Sequence, residues 1–292
     1  MANACDLHSN TFLKTHRYRI RVSGAARWHP TTSLTGVEPV YATVIAVART
    51  MFRIQGLRFR LTGTENVPRK GGALIVMNHI GFFDFTYVGY AAKPQGRYVR
   101  FMAKAEVFAH PLGGPLMRGM HHIPVDRAAG AGAFDVAVQA LRDGEVVGVF
   151  PEATISSSYE LKAFKSGAAR MALEAGVPIL PVVIWGSQRV WTKRQPKRLG
   201  RTRTPISVDI GTPIEATGSA LELTNLVKDR MQTQLERVRA EYSDGHPEGA
   251  PWVPASMGGG APTPDEVVLL DRADTRGKVV ARREKMAKRA KP

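Results

Sequence analysis

Residues 73–90 read ALIVMNHIGFFDFTYVGY: an apolar run stops at Asn78 and His79, and a helix-like run opens near Phe82. Ala73–Met77 has the length and composition of a buried strand, so a strand leading into a helix is expected, with His79 at the junction. Asp84 follows the histidine by five residues. On one continuous helix, five residues carry a side chain through roughly 500°, about 140° past its starting direction. His79 and Asp84 can therefore meet only across a turn, and Gly81 lies where that turn is required. Joined in this way they form a base and its orienter: the carboxylate fixes the imidazole tautomer and the other ring nitrogen takes a proton. No Ser or Cys adjoins them, which points to a substrate hydroxyl as the nucleophile. The same residues could also be a satisfied structural pair with no chemistry.

Strand-like runs recur at Arg58–Leu61, Tyr98–Met102, Val146–Phe150, Ile179–Ile184 and Ile206–Ile210. Helical stretches alternate with them, notably Phe82–Ala92, Gly132–Leu141 and Ser166–Ala175, and a last helix is expected over Ala220–Tyr242. This alternation predicts a single α/β domain with a mostly parallel mixed sheet flanked by helices. Ligands of such sheets bind beyond the carboxyl ends of strands, where His79 and Glu152 both fall.

The domain is expected over 37–242. It opens with an amphipathic helix at 37–54, whose apolar stripe runs through Val37, Val40, Tyr41, Val44, Ile45, Ala48, Met51 and Phe52, with Arg49 and Arg53 off it. This is expected as an interfacial helix on an anionic leaflet, the alternative being a helix packed on the domain. Residues 1–36 lack periodicity and are expected to be a disordered extension. Residues 243–292 are expected to be a Gly/Pro-rich linker and a basic tail.

The 292-residue chain has a formal charge of +16, which implies an anionic partner. Seven of its cations fall between Arg189 and Arg203 without one acid, next to Trp185 and Trp191, a pattern suited to a lipid headgroup interface. No nucleic-acid module surrounds the cluster, and no nucleic acid is expected as partner. The lone cysteine, Cys5, makes an internal disulfide impossible and leaves no basis for a Cys-built metal site. No apolar run approaches the 18 or so residues of a spanning helix. No secretory leader is indicated, and a cytosol-facing, peripheral membrane location is expected.

Four segments, in order, resemble the glycerolipid acyltransferase family of the 1-acylglycerol-3-phosphate (lysophosphatidic acid) O-acyltransferase type. NHIGFFD (78–84) matches its His-x-x-x-x-Asp block, and MAKAEVF (102–108) its lysine-bearing segment. HHIPVDR (121–127) is similar to the block ending in Asp-Arg, and FPEATIS (150–156) stands where the family has Phe-Pro-Glu-Gly-Thr-Arg-Ser. FKSGA (164–168) and VPILPV (177–182) follow at the family's spacing.

The resemblance implies a fold like that of glycerol-3-phosphate acyltransferase, with His79 and Asp84 as the catalytic pair. It implies Lys104, Arg127, Glu152, Ala153, Thr154 and Lys165 as acceptor-binding positions, with no metal and no cofactor. The implied reaction moves a fatty acyl group from acyl-CoA or acyl-carrier protein to lysophosphatidic acid in phospholipid biosynthesis, at an anionic membrane surface. The sequence departs from the family at Ala153 and Ile155, where glycine and arginine are usual. Other acceptors (glycerol-3-phosphate, another lysophospholipid, a glycolipid) therefore stay open, as does a non-catalytic basic lipid- or nucleic-acid-binding protein.

Overall fold

The structure is a computed structural model that describes residues 38–126 and 132–289, with side chains through Gly277; the expected extension at 1–36 and Arg127 lie outside the described residues. Seven strands are present among these residues: β1 (Arg58–Thr62), β2 (Ala73–Met77), β3 (Val99–Lys104), β4 (Ile123–Val125), β5 (Val146–Val149), β6 (Ile179–Trp185) and β7 (Pro205–Ile210). They form one sheet in the order β1-β7-β6-β2-β5-β3-β4. Every pairing is parallel except β6 with β7, so the expected mostly parallel mixed sheet is what the chain builds.

β2, β5 and β6 are buried at every position, as continuous runs of Val, Ile and Leu require when helices cover both faces. The helices are α1 (Pro39–Gln55), α2 (Asp84–Ala92), α3 (Ala105–Phe108), α4 (Gly113–Gly119), α5 (Gly132–Arg142), α6 (Gly167–Ala175), α7 (Ala220–Ala240) and α8 (Pro264–Arg289). The stripe read from the sequence is the face of α1 that meets the domain. Phe52 is buried in the core, and the buried Tyr41 hydroxyl donates to the Val99 carbonyl at 2.8 Å. Arg100, buried on β3, ties the start of α1 to the sheet by pairing with Glu38 and, at 3.1 Å, with Glu145. Its Nη1 also donates to the Met120 carbonyl at 3.0 Å. Removing one partner of such a buried pair costs about 3–5 kcal/mol.

Three departures from the sequence reading have local causes. β4 is only three residues long with Pro124 at its centre, which confines it to the sheet edge and gives no apolar run to detect. Trp185 does not reach a surface: it is fully buried at the end of β6, its indole N–H donating to His246 Nε2 at 3.2 Å. Of the stretch 243–292, expected as a linker and tail, the part through Val267 packs instead. Val253 is fully buried, the Trp252 ring lies 6.0 Å from Tyr242 and from His246, and α8 follows. Thr263 and Glu266 form a capping box that starts α8, each side chain bonding the other's backbone N–H at 3.3 and 2.8 Å.

Candidate active site

Three neighbouring strands, β5, β2 and β6, run parallel and end on the same side of the sheet. Just past their carboxyl ends stand Glu152, His79 and Ser187. Beyond β2 the chain does not enter a helix directly. Asn78, fully buried, pairs through its side-chain amide with both backbone groups of Ile184, at 2.7 and 3.0 Å, so it acts as one more rung between β2 and β6. His79 follows, then the turn through Ile80 and Gly81, and α2 begins at Asp84.

This turn brings the histidine and the aspartate together: His79 Nδ1 lies 3.0 Å from Asp84 Oδ2. The same oxygen accepts the backbone N–H groups of Ile80 and Gly81, each at 2.8 Å. Oδ1 accepts the Ser187 hydroxyl at 2.5 Å. Asp84 is fully buried, yet both its oxygens are hydrogen-bonded and it stands in the first turn of α2, where the helix dipole favours a carboxylate. The turn uses Gly81 for room more than for backbone freedom, since Gly81 is absent from the left-handed glycines. A Cβ there would come within 2.8 Å of Ser187 Oγ and 3.1 Å of Asp84 Oδ1.

The imidazole is fixed in plane as well as at its nitrogen. The Phe150 ring stacks on it with centroids 3.9 Å apart and planes 24° apart. The His79 side chain keeps 19% of its surface exposed, and with Nδ1 engaged by Asp84, Nε2 is the nitrogen left to meet a substrate. Glu152 accepts the His79 backbone N–H on Oε1 at 3.0 Å and the Lys162 backbone N–H on Oε2 at 3.2 Å. Burial pushes the Glu152 carboxyl up to about 8, against the pull of those two N–H donors. His122, in the HHIPVDR block, is a different kind of residue: burial pushes its imidazole down to about 3, and Nδ1 accepts the Phe101 N–H at 3.2 Å.

The remaining expected positions are more scattered. Lys104 ends β3, two strands away from β2, and is exposed. Lys165 is also exposed, with its backbone N–H on the Pro151 carbonyl at 3.1 Å. Thr154 Oγ1 accepts from Lys162 Nζ at 3.0 Å, and Ile155, at the position of the family's arginine, is buried. Ala153 has a φ of 60°, in the left-handed region, which explains physically why a glycine suits this place. Among the described residues no group of three or more His, Cys, Asp or Glu side chains could hold a metal ion.

Ser187 and Phe150 complete the arrangement, and sequence reasoning did not assign either a role. Ser187 lies 103 residues from Asp84 along the chain, so no local pattern announces it.

The acyltransferase family model matches residues 58–185, the span that contains β1 through β6 and all three strand ends. A 1-acyl-sn-glycerol-3-phosphate acyltransferase of Borreliella burgdorferi is 31% identical over 144 residues, 48% of this chain and 56% of that protein. A 1-acyl-sn-glycerol-3-phosphate acyltransferase of Bacillus subtilis is 32% identical over 123 residues, 42% of this chain and 60% of that protein. This chain thus spans a little over half the length of these relatives. The crystal structure of the 1-acyl-sn-glycerophosphate (LPA) acyltransferase PlsC from Thermotoga maritima superposes with a TM-score of 0.56 at 23% identity, covering 70% of this chain and 84% of that one. That likeness is one of fold.

Ala153 holds a backbone conformation that costs an L-residue about 1–2 kcal/mol. Ala153→Gly relieves it while loosening the unfolded chain, so stability is expected to rise by about 0.5–1 kcal/mol, read as a higher urea midpoint at unchanged slope. A lower midpoint would show that position 153 does not use the left-handed conformation.

Proposed function

We propose that the domain transfers a fatty acyl group from acyl-CoA or acyl-carrier protein to the free hydroxyl of lysophosphatidic acid, a step of phospholipid biosynthesis. The observation that carries this is the His79–Asp84 pair, held by buried hydrogen bonds on the carboxyl edge of the sheet with one ring nitrogen unspent. Asp84 keeps the proton on Nδ1, and Nε2 takes the proton of the acceptor hydroxyl as its oxygen attacks the thioester carbonyl. The tetrahedral intermediate collapses, the carbon–sulfur bond breaks, and the thiolate leaves with the proton that the imidazolium returns. Only the two substrates are consumed and no acyl-enzyme is formed. Relatives named for acylation of 1-acyl-sn-glycerol-3-phosphate support the choice of acceptor.

His79→Ala is expected to abolish acceptor-dependent thiol release from acyl-CoA while leaving the melting temperature within a few degrees. Asp84→Asn is expected to cost about 10³–10⁴-fold in kcat, the scale seen when the carboxylate of a catalytic triad is amidated. Wild-type protein offered lysophosphatidic acid, glycerol-3-phosphate, lysophosphatidylcholine and monoacylglycerol with one donor should prefer the first. Near-normal turnover by His79→Ala would remove the proposed base, and a preference for another acceptor would correct the substrate.

We also propose peripheral attachment to the cytosolic face of an anionic membrane. α1 exposes Val47 at 65% and Ile54 at 68% beside Arg49 and Arg53, on the face away from the core. Leu112, 77% exposed, and Leu116 lie near α4, which packs on α1 where Gly119 adjoins Val40. The exposed Arg201 and Arg203 stand next to the end of α1, the Arg203 N–H donating to the Gln55 carbonyl at 3.1 Å. Apolar side chains ringed by cations suit an interfacial site. No helix among the described residues is long and apolar enough to cross a membrane. Replacing Arg49, Arg53, Arg201 and Arg203 by Gln should release the protein from vesicles rich in anionic lipid; unchanged co-sedimentation would refute the attachment.

A further inference from the structure

Next to the Phe150–Ser156 motif, three cations converge on one carboxylate. Lys162 Nζ lies 2.9 Å from Asp271 Oδ2, while Lys193 Nζ and Arg194 Nη2 lie 3.3 and 3.2 Å from Oδ1. Arg194 also pairs with Asp274 at 2.5 Å and donates to Ser157 Oγ at 2.7 Å. Lys162 Nζ further donates to Thr154 Oγ1 and to the Ile155 carbonyl, at 3.0 and 3.3 Å. The cluster is therefore coupled to the catalytic edge: the Lys162 backbone N–H and the His79 backbone N–H are held by the two oxygens of the same buried carboxylate, Glu152.

Both acids come from α8, and α8 is lightly seated. Between Pro264 and Gly277, Val267 is its one buried side chain and Asp271, four residues on, its one half-buried side chain; the others are exposed. Beneath it lies a cavity of about 800 Å³, lined by Glu152, Leu161, Lys162, Val267, Arg272 and Arg276, a volume within the range of ligand sites. Burial raises the Asp271 carboxyl, but the hydrogen bonds from Lys162 and Arg194 outweigh this and hold it down to about 2.

We propose that Lys162, Lys193 and Arg194 form the site that receives the phosphate of the acceptor, and that Asp271 of α8 occupies this site as a stand-in anion until the acceptor arrives. The inference rests on the acyl-transfer reading above and names the residues that hold the acceptor's phosphate. A phosphate monoester carries about −1.5 to −2 charge and three strong acceptor oxygens, against one charge and two oxygens for a carboxylate. It can engage three cations at once, and it leaves Asp271 and Asp274 free to swing out with a helix whose one buried side chain between Pro264 and Gly277 is Val267. Arg194 and Lys162 thereby place positive charge beside the motif whose own position 155 is a buried isoleucine.

The test is equilibrium binding of lysophosphatidic acid in uncharged detergent micelles to full-length protein, with monoacylglycerol as the uncharged control. Asp271→Asn should bind lysophosphatidic acid about tenfold more tightly, and K193Q/R194Q about tenfold more weakly, with monoacylglycerol binding unchanged in both. Equal or weaker binding of lysophosphatidic acid by Asp271→Asn, or wild-type binding by K193Q/R194Q, would overturn the proposal and leave the cluster as a tie for α8. If Asp271→Asn does not fold, Asp274→Asn, which frees Arg194 of one carboxylate, should shift binding in the same direction by about threefold. Binding is read whether or not acyl transfer occurs. An ordered series in a protein without turnover would thus uphold the anion site and count against the reaction, and full turnover with a flat series would do the reverse.

Discussion

The site depends on a carboxylate that has been taken out of water and given four donors in exchange. Asp84 accepts from an imidazole, two consecutive backbone N–H groups and a serine hydroxyl. A buried charge left without such partners costs several kcal/mol, so the surrounding segments are constrained to supply them. The backbone at Ile80–Gly81 must turn inward, residue 81 must lack a side chain, and the end of β6 must present a hydroxyl at that point. His79 is one of the four donors, and its orientation is a by-product of satisfying the aspartate.

The sheet makes this economical. β5, β2 and β6 are adjacent and parallel, so three separate stretches of chain end within reach of one another. Glu152 grips the backbone of His79, Phe150 lies against its ring, and Ser187 closes Asp84 from the far side. Each contact comes from the residues immediately following a buried strand, where the backbone is positioned by the core and the side chains are released from it. The same logic explains why the left-handed Ala153 is held: it lies in the turn that must swing Glu152 toward β2.

Much of this could be read from the chain. Continuous apolar runs disclose six of the strands with only small errors at their ends, and the five-residue spacing of His79 and Asp84 by itself requires a turn. Gly81 was legible as a requirement, although for conformational freedom, whereas the structure needs it for space. What stayed hidden was either too short or too distant. β4 has three residues and a proline; Ser187 meets Asp84 across 103 residues. In residues 243–267 the Gly/Pro content masks a visible signal, the Thr263-Pro264-Asp265-Glu266 helix start that opens α8. Trp185 looked like an interfacial aromatic because it precedes a basic run, yet it closes a core strand. Arg189, Lys193 and Arg194 of that run find partners in Asp244 and Asp271, so only its later members are available to a membrane.

Asp84, as the acceptor at Nδ1, dictates which nitrogen of His79 carries the proton. Nitrogen-15 NMR of histidine-labelled protein, in the pH range where the imidazole is neutral, reads this directly through the separate shifts of the two ring nitrogens. The wild type is expected to show a protonated Nδ1 and a bare Nε2, a pattern lost in Asp84→Asn. A wild-type spectrum showing the proton on Nε2, or both tautomers in comparable amounts, would contradict it.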